Sequence, residues 1–278
     1  MKISEAFDEY RNEFMYFNKQ SQTMLSNNIY HKQSLISYLG DKDISDLTVS
    51  EVVEWCKWLS DGRCSNTVRN YVNSLRQVLK YARLKGYDCI SEGMVPCPPR
   101  ETTTVSYITP EEVKYMLKAA DSLRNRLIIS FLYASGVRLS EMLSLNRDSV
   151  VDRKFTVIGK GGKERICFID RRTERLLNDY LESRYDFEPA LFTGRQGGRL
   201  SCSAVQLMIR ETAERAGIRK RIHPHTFRHG HATNLIANGA DIRYVAHDLG
   251  HSSLNTTMIY THIENPDMRA KYEQFHTI

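Results

Sequence analysis

His223-Pro-His-Thr-Phe-Arg-His-Gly-His231 is the densest stretch of side-chain chemistry in the chain, and the rest of the reading turns on it. Seven of the nine histidines lie between His223 and His262. His225 and His229 stand one helical turn apart, as in a zinc-binding helix. Three features oppose a metal: no Glu sits between them in the His-Glu-x-x-His manner, no cysteine pair is near, and Arg228 would set a cation beside a cation. The other chemistry open to these residues is an oxyanion site. Arg228 and a second arginine would hold a phosphate through paired N–H forks, with histidines donating hydrogen bonds or moving protons. Downstream, Leu249-Gly-His-Ser-Ser-Leu-Asn-Thr-Thr-Met-Ile-Tyr-Thr-His262 supplies Gly250 to end one helix, Ser252 or Ser253 to cap the next, and Tyr260 about two turns along it.

Working outward, the pattern predicts helices at 109–120, 123–135, 138–145, 171–184, 201–216, 225–238, 241–249, 253–261 and 265–275. Thr109-Pro-Glu-Glu112 is a capping box with Pro at the first helical position. Lys154-Phe-Thr-Val-Ile158 and Arg165-Ile-Cys-Phe-Ile169 flank Gly159-Lys-Gly-Gly-Lys163 and predict a small β-hairpin. Upstream, Ser91–Thr104 carries Gly93, Pro96, Pro98, Pro99 and three threonines, and reads as an extended linker. Before it come four helices, at 3–17, 20–39, 48–60 and 65–86, with Ser50 or Thr48 and Ser65 as caps. The expected fold is mainly α: a helical domain over 1–94, a linker over 95–106, and an α+β domain over 107–278.

The fourth helix has a feature of its own. From Arg63 to Lys85 there are six basic residues and no acidic one, whereas residues 1–100 as a whole carry 13 basic and 12 acidic groups. At 100° per residue Arg69, Arg76, Lys80 and Arg83 fall within about 60° of one another. Val68, Tyr71, Val72, Leu75, Val78, Leu79 and Ala82 make a separate apolar stripe. One stripe packs and its neighbour presents cations, the footprint that phosphate binding requires.

Composition narrows the class. The 278 residues, 41% hydrophobic and 26% charged, are globular in character, and Lys plus Arg exceed Asp plus Glu by 39 − 33 = 6. No apolar run reaches the ~18 residues of a membrane span. Met1–Tyr10 is too acidic and polar for a signal peptide. The six cysteines are scattered without Cys-x-x-Cys spacing, which fits thiols in a reducing compartment. An intracellular, cytoplasmic protein is expected, with no membrane partner.

Five pieces together resemble the tyrosine recombinases, or phage-type integrases, and among them the Xer-like group: Gly136-Val-Arg-Leu-Ser-Glu141, the glycine-lysine hairpin, His225-Thr-Phe-Arg228, Leu249-Gly-His251 and Thr256-Thr-Met-Ile-Tyr260. Each is weak alone. Their order and separations are specific: 87 residues from Arg138 to His225, 23 from Arg228 to His251 and 9 more to Tyr260. The resemblance implies that the first domain is a core-binding, DNA-binding domain and the second a catalytic one. It makes Arg138 and Arg228 the clamp on a scissile phosphate, Lys160 the general acid, His225 the proton-handling histidine, His251 a hydrogen-bond donor and Tyr260 the nucleophile. Glu141 would support the pocket. Lys163 flanks the same turn as Lys160, and the match alone prefers Lys160. His229 and His231 match no such role and are expected to pack or to support the residues of the pocket from behind; His231 stands where many relatives carry an aromatic. His223 and His247 are expected to be structural or DNA-facing.

The chemistry explains the residue types. A phosphodiester gains charge on its nonbridging oxygens when attacked, so fixed arginine forks favour the transition state over the ground state. A tyrosine of pKa ~10 is only about one part in a thousand ionised at pH 7 and needs a base and a cationic pocket. A departing 5′-hydroxyl needs a proton, which suits a lysine flanked by arginines. The resemblance implies site-specific cleavage and rejoining of duplex DNA through a 3′-phosphotyrosyl intermediate, without metal, ATP or other cofactor. It implies double-stranded DNA with paired half-sites as partner, a homotetramer on DNA, a paralogous recombinase or accessory protein as further partner, and a nucleoid-associated location. The alternatives are a type IB topoisomerase, a non-catalytic DNA-binding regulator and a metal-dependent nuclease.

Overall fold

The computed structural model describes residues 1–18, 20, 22–101, 106–159, 162–250 and 257–258. The chain forms two units, Met1–Thr103 and Thr104–Ile278.

In the first unit α1 (Ile3–Glu9) runs into a π-helical turn over Tyr10–Met15, followed by α2 (Gln22–Leu39), a 3₁₀ turn (Ile44–Asp46), α3 (Val49–Ser60) and α4 (Ser65–Leu84). The single helix expected over 3–17 therefore widens at Tyr10, where the Tyr16 amide donates to the Arg11 carbonyl at 2.9 Å. Tyr10 there stacks on Phe14 and meets the edge of Tyr81. Thr48, not Ser50, starts α3, in a reciprocal capping box with Glu51. Cys64, not Ser65, stands at the start of α4. The apolar stripe of α4, apart from the partly buried Tyr71, is fully buried with Phe7, Leu35, Trp55 and Leu59 in one core.

The cationic stripe of α4 is not the open face the sequence suggested. Arg76 donates Nε and Nη2 to the Val95 carbonyl at 3.0 and 2.5 Å. Arg69 Nη1 donates to the Pro98 carbonyl at 2.6 Å, and Ser65 Oγ to the Pro99 carbonyl at 3.2 Å. Arg83 reaches Ser91 and Glu92, while Lys80 is exposed. The reason is backbone bookkeeping. A proline-rich segment cannot pair its carbonyls within a helix or sheet, and buried carbonyls require donors. The arginines of α4 supply them, and Val95 inserts fully into the core. Residues 95–101, expected to be a linker, belong to the first unit, whose boundary lies at Thr103.

The second unit contains α5 (Pro110–Ala119), α6 (Leu123–Ser135), α7 (Leu139–Ser144), β1 (Lys154–Ile158), β2 (Glu164–Phe168), α8 (Arg171–Glu182), α9 (Cys202–Arg215), α10 (Pro224–Ala237) and α11 (Ile242–Leu249). The fold is mainly α with one two-stranded antiparallel sheet, as the sequence predicts. Thr109 and Glu112 form the expected capping box with Pro110 behind it, and Asp170 caps α8. The sheet pairs Phe155 with Cys167 and Val157 with Arg165, and these four positions face inward. Helix α6 is the axis of the unit: Leu127, Ile128, Ile129, Phe131 and Leu132 are buried almost all round, and α5, α8 and α10 pack on it. Two glycines permit close approach. A Cβ at Gly230 would lie 2.4 Å from the Ile108 carbonyl oxygen, so only glycine lets α10 meet that strand of chain. Gly136 ends α6 at φ +60°, and a Cβ there would lie 2.5 Å from the His231 ring. The helix expected at 265–275 lies outside the described residues, as does that at 253–261 apart from residues 257 and 258. Among the described residues, no helix is long and apolar enough to cross a membrane.

Candidate active site

Arg138 sits at the start of α7, immediately after the left-handed turn at Gly136. Its amide donates to Glu141 Oε2 at 2.8 Å and its Nη1 to Oε1 at 2.7 Å. Glu141 is thus a cap and a counter-ion together, and it holds Arg138 while about a third of that side chain stays exposed (32%). Glu141 is itself only 6% exposed. A second cation reaches it from β2: Arg165 donates Nη1 to Oε1 at 3.0 Å and Nη2 to Oε2 at 2.7 Å. Burial works to raise the Glu141 pKa, but the Arg165 fork and the two Arg138 hydrogen bonds outweigh it and hold the carboxyl at about 2. The Glu141 carboxylate is therefore ionised across the working pH range and fixes both guanidinium planes.

Arg228 approaches from α10 and is 5% exposed. It donates Nη1 to the Gly136 carbonyl at 2.8 Å and Nη2 to the Leu249 carbonyl at 2.5 Å. Arg165 Nε adds a bond to the Asp248 carbonyl at 3.1 Å. The last turn of α11 is held at adjacent carbonyls by two different arginines, which offsets the unsatisfied acceptors of a helix C-terminus. Gly250 then closes α11 at φ +64°, with its Cα against the Arg165 side chain. His225 is the exposed residue in the first turn of α10, where Pro224, Thr226 and Phe227 are buried. Partial burial, then the charges of Arg228 and Arg138, push its pKa below the ordinary value. This imidazole is therefore neutral at pH 7, the form that can take a proton. Its neighbours follow the same trend: burial and His225 lower His223, and burial with the adjacent imidazoles and Arg228 lowers His229 to about 4.

The structure thus brings Arg138, Glu141, His225 and Arg228 into one electrostatic neighbourhood. Lys160, His251 and Tyr260 lie outside the described residues. Thr257, three residues before Tyr260, is fully buried. Two supporting residues escaped the sequence reading. Arg165 carried a usable signal, since strand alternation put it on the same inward face as Cys167. Asp248 carried none: its partner His231 lies 17 positions away, with Nε2 at 2.9 Å from Asp248 Oδ2. His231, expected to pack or to support the pocket from behind, also holds the Tyr133 carbonyl at 2.9 Å through Nδ1. Among the described residues, no three His, Cys, Asp or Glu side chains converge as metal ligands.

What this arrangement offers chemically is a preorganised cationic pocket with a neutral imidazole at its edge, fitted to a tetrahedral oxyanion. Residues 106–266 match the model of the phage integrase family. The chain is 33% identical over 215 residues to tyrosine recombinase XerC of Histophilus somni, covering 74% of this chain and 73% of that protein. It is 29% identical over 257 residues to tyrosine recombinase XerD of Staphylococcus aureus, covering 86% and 87%. In fold it resembles a lambda integrase dimer bound to a COC′ core site, with TM-score 0.80 at 17% identity over 92% of this chain and 97% of that one. These relatives favour a recombinase over a topoisomerase or a non-catalytic regulator. The chain belongs to the phage integrase family, as an Xer-like tyrosine recombinase.

Proposed function

We propose that the chain cuts and rejoins double-stranded DNA at paired half-sites through a 3′-phosphotyrosyl intermediate, with no metal or ATP. The observation that carries this reading is the shared support of the two arginines: Glu141 fixes Arg138, and Arg228 bonds the carbonyl of Gly136, two residues before Arg138. A pair of forks so tied is preorganised for charge that develops on a phosphate, and no reorganisation is needed when the charge appears.

In the proposed reaction Tyr260 Oη attacks the phosphorus and the bond to the 5′-oxygen breaks. Arg138 and Arg228 bind the nonbridging oxygens, and His251 donates a hydrogen bond there. Neutral His225 receives the tyrosine proton, and Lys160 gives one to the departing oxygen. Religation runs the same steps in reverse, since the phosphotyrosine ester conserves the bond energy. Lys80, with Arg69, Arg76 and Arg83, adds a positive field along α4 and makes affinity fall with salt. Four copies assemble on two half-site pairs, alone or with a paralogous recombinase or accessory protein, in the nucleoid-bearing cytoplasm.

The test is a duplex nicked so that the cleaved fragment diffuses away. Incubated with this substrate in EDTA and without ATP, the chain should form a covalent adduct at a tyrosine. Adduct formation that requires added Mg²⁺ would overturn the metal-free reading, and no adduct under any condition would overturn the recombinase mechanism.

Lys160 and Lys163 are separable by the leaving group. Lys160→Ala should cleave an ordinary duplex about 10²- to 10⁴-fold more slowly, the range for loss of a general acid. It should recover when the 5′-oxygen is replaced by sulfur, because a thiolate leaves without a proton. Lys163→Ala should show no such rescue. Equal behaviour of the two variants on the sulfur substrate would move the general acid elsewhere.

A further inference from the structure

We propose that His231 and Asp248 form a buried, charged clasp that positions the end of α11 against the two arginine supports, with His231 held as a doubly protonated imidazolium. The catalytic part of this inference rests on the recombinase reading above. Its structural part does not.

Both ring nitrogens of His231 meet oxygen acceptors. His231 Nδ1 lies 2.9 Å from the Tyr133 carbonyl in α6, and Nε2 lies 2.9 Å from Asp248 Oδ2 in α11. A carbonyl and a carboxylate both accept and neither donates. Both contacts are hydrogen bonds only if both ring nitrogens carry protons. A neutral ring would aim a lone pair at one of the two oxygens. The His231 and Asp248 side chains are each only 12% exposed, so water gives little relief. Nor can the ring swing aside easily, because its edge fills the space that a Cβ at Gly136 would need.

The clasp touches the same backbone that the arginines hold. Arg228 bonds the Gly136 carbonyl beside the His231 ring, and it also bonds the Leu249 carbonyl. The carbonyl of Asp248 accepts from Arg165, and Arg165 is paired with Glu141, which holds Arg138. These hydrogen bonds link α6, α7, β2, α10 and α11, and the chain from Gly136 to Arg138 completes the circuit. Two residues beyond Asp248, Gly250 ends α11 in the left-handed region. The charged and titratable groups around the clasp include Arg165 and the Cys167 thiol from β2, Glu141 from α7, Arg228 from α10, the Tyr133 hydroxyl from α6 and, through Tyr133, Glu111 from α5. The Tyr133 hydroxyl is buried without a hydrogen-bond partner among the described residues and makes no bond to Asp248. An aromatic at position 231 would pack in this space without calling for an acid at 248. The pair therefore acts as one device, and both residues are positioning residues rather than catalytic ones.

Two measurements test this on the full-length chain. In the first, ¹⁵N-labelled protein at pH 7 should show both His231 ring nitrogens protonated, with the assignment fixed by loss of the signals in His231→Phe. One unprotonated nitrogen at that pH would overturn the clasp. In the second, single-turnover cleavage of the nicked duplex is measured with melting temperature. His231→Phe, which strands Asp248, should cleave about 10- to 100-fold more slowly than the parent. The double variant His231→Phe/Asp248→Leu should regain the native melting temperature and cleave faster than His231→Phe alone. A double variant that is no faster than His231→Phe would overturn the positioning role. If the parental chain forms no adduct at all, the recombinase mechanism fails, and the ring-nitrogen measurement then decides the clasp by itself.

Discussion

Tyr260→Phe is expected to bind half-site DNA with near-parental affinity and to form no covalent adduct. The substitution keeps the ring and its packing and removes only the oxygen that would attack. Loss of a nucleophile is the largest single effect available at such a site, on the order of 10⁶-fold in a comparable covalent catalyst. If Tyr260 were merely a packing residue, loss of one hydroxyl would leave cleavage roughly unchanged. A gel-shift titration paired with the nicked duplex decides between the two. Adduct at the parental level from Tyr260→Phe would remove Tyr260 from the mechanism.

Glu141→Ala should be the most destabilising single change in the pocket. It leaves Arg165 buried with its side chain 7% exposed and no counter-charge at its Nη atoms, and it also removes the cap of α7. Breaking a buried pair in this way costs about 3–5 kcal/mol, because the surviving charge has lost water and partner alike. Chemical denaturation of the chain should show that loss, and adduct formation should fall as Arg138 loses its orientation. A loss under about 1 kcal/mol, the range of an exposed pair, would mean that Glu141 is not the counter-ion of Arg165. The acid limb carries the sign. A carboxyl lowered from 4.5 to about 2 stabilises the fold fully above pH 4.5 and loses that contribution as pH falls toward 2. Glu141→Ala should therefore flatten stability against pH over that interval.

Much of the fold was legible because local chemistry announced it. Thr109-Pro110 with Glu112 marks a helix start, Gly136 and Gly250 mark helix ends, and the alternation around Gly159–Lys163 marks the hairpin. Arg138, Glu141, His225 and Arg228 were legible as a set only through their order along the chain. What brings them together is tertiary: the Gly136 and Leu249 carbonyls that Arg228 bridges are 113 positions apart. Arg165 and Asp248 were missed for the same reason, since neither spacing nor residue type announces a partner in another element. The α4 stripe misled in a different way. Its charge pattern was correct, but helical periodicity shows which cations share a face and not which backbone lies across it.

The grip of α4 on the proline-rich segment has a consequence for how the two can vary. Arg69 and Arg76 hold the carbonyls of Pro98 and Val95, and every residue type presents a carbonyl. The strap can therefore exchange exposed side chains, such as that of Pro96, while its course over the helix is kept. The arginines have no such latitude. Lysine in place of Arg76 would reach with a single point of contact where a planar fork now places two donors on one oxygen. Tolerance to substitution is thus unevenly shared across this contact: it lies with the segment that is held, and the constraint lies with the helix that holds it.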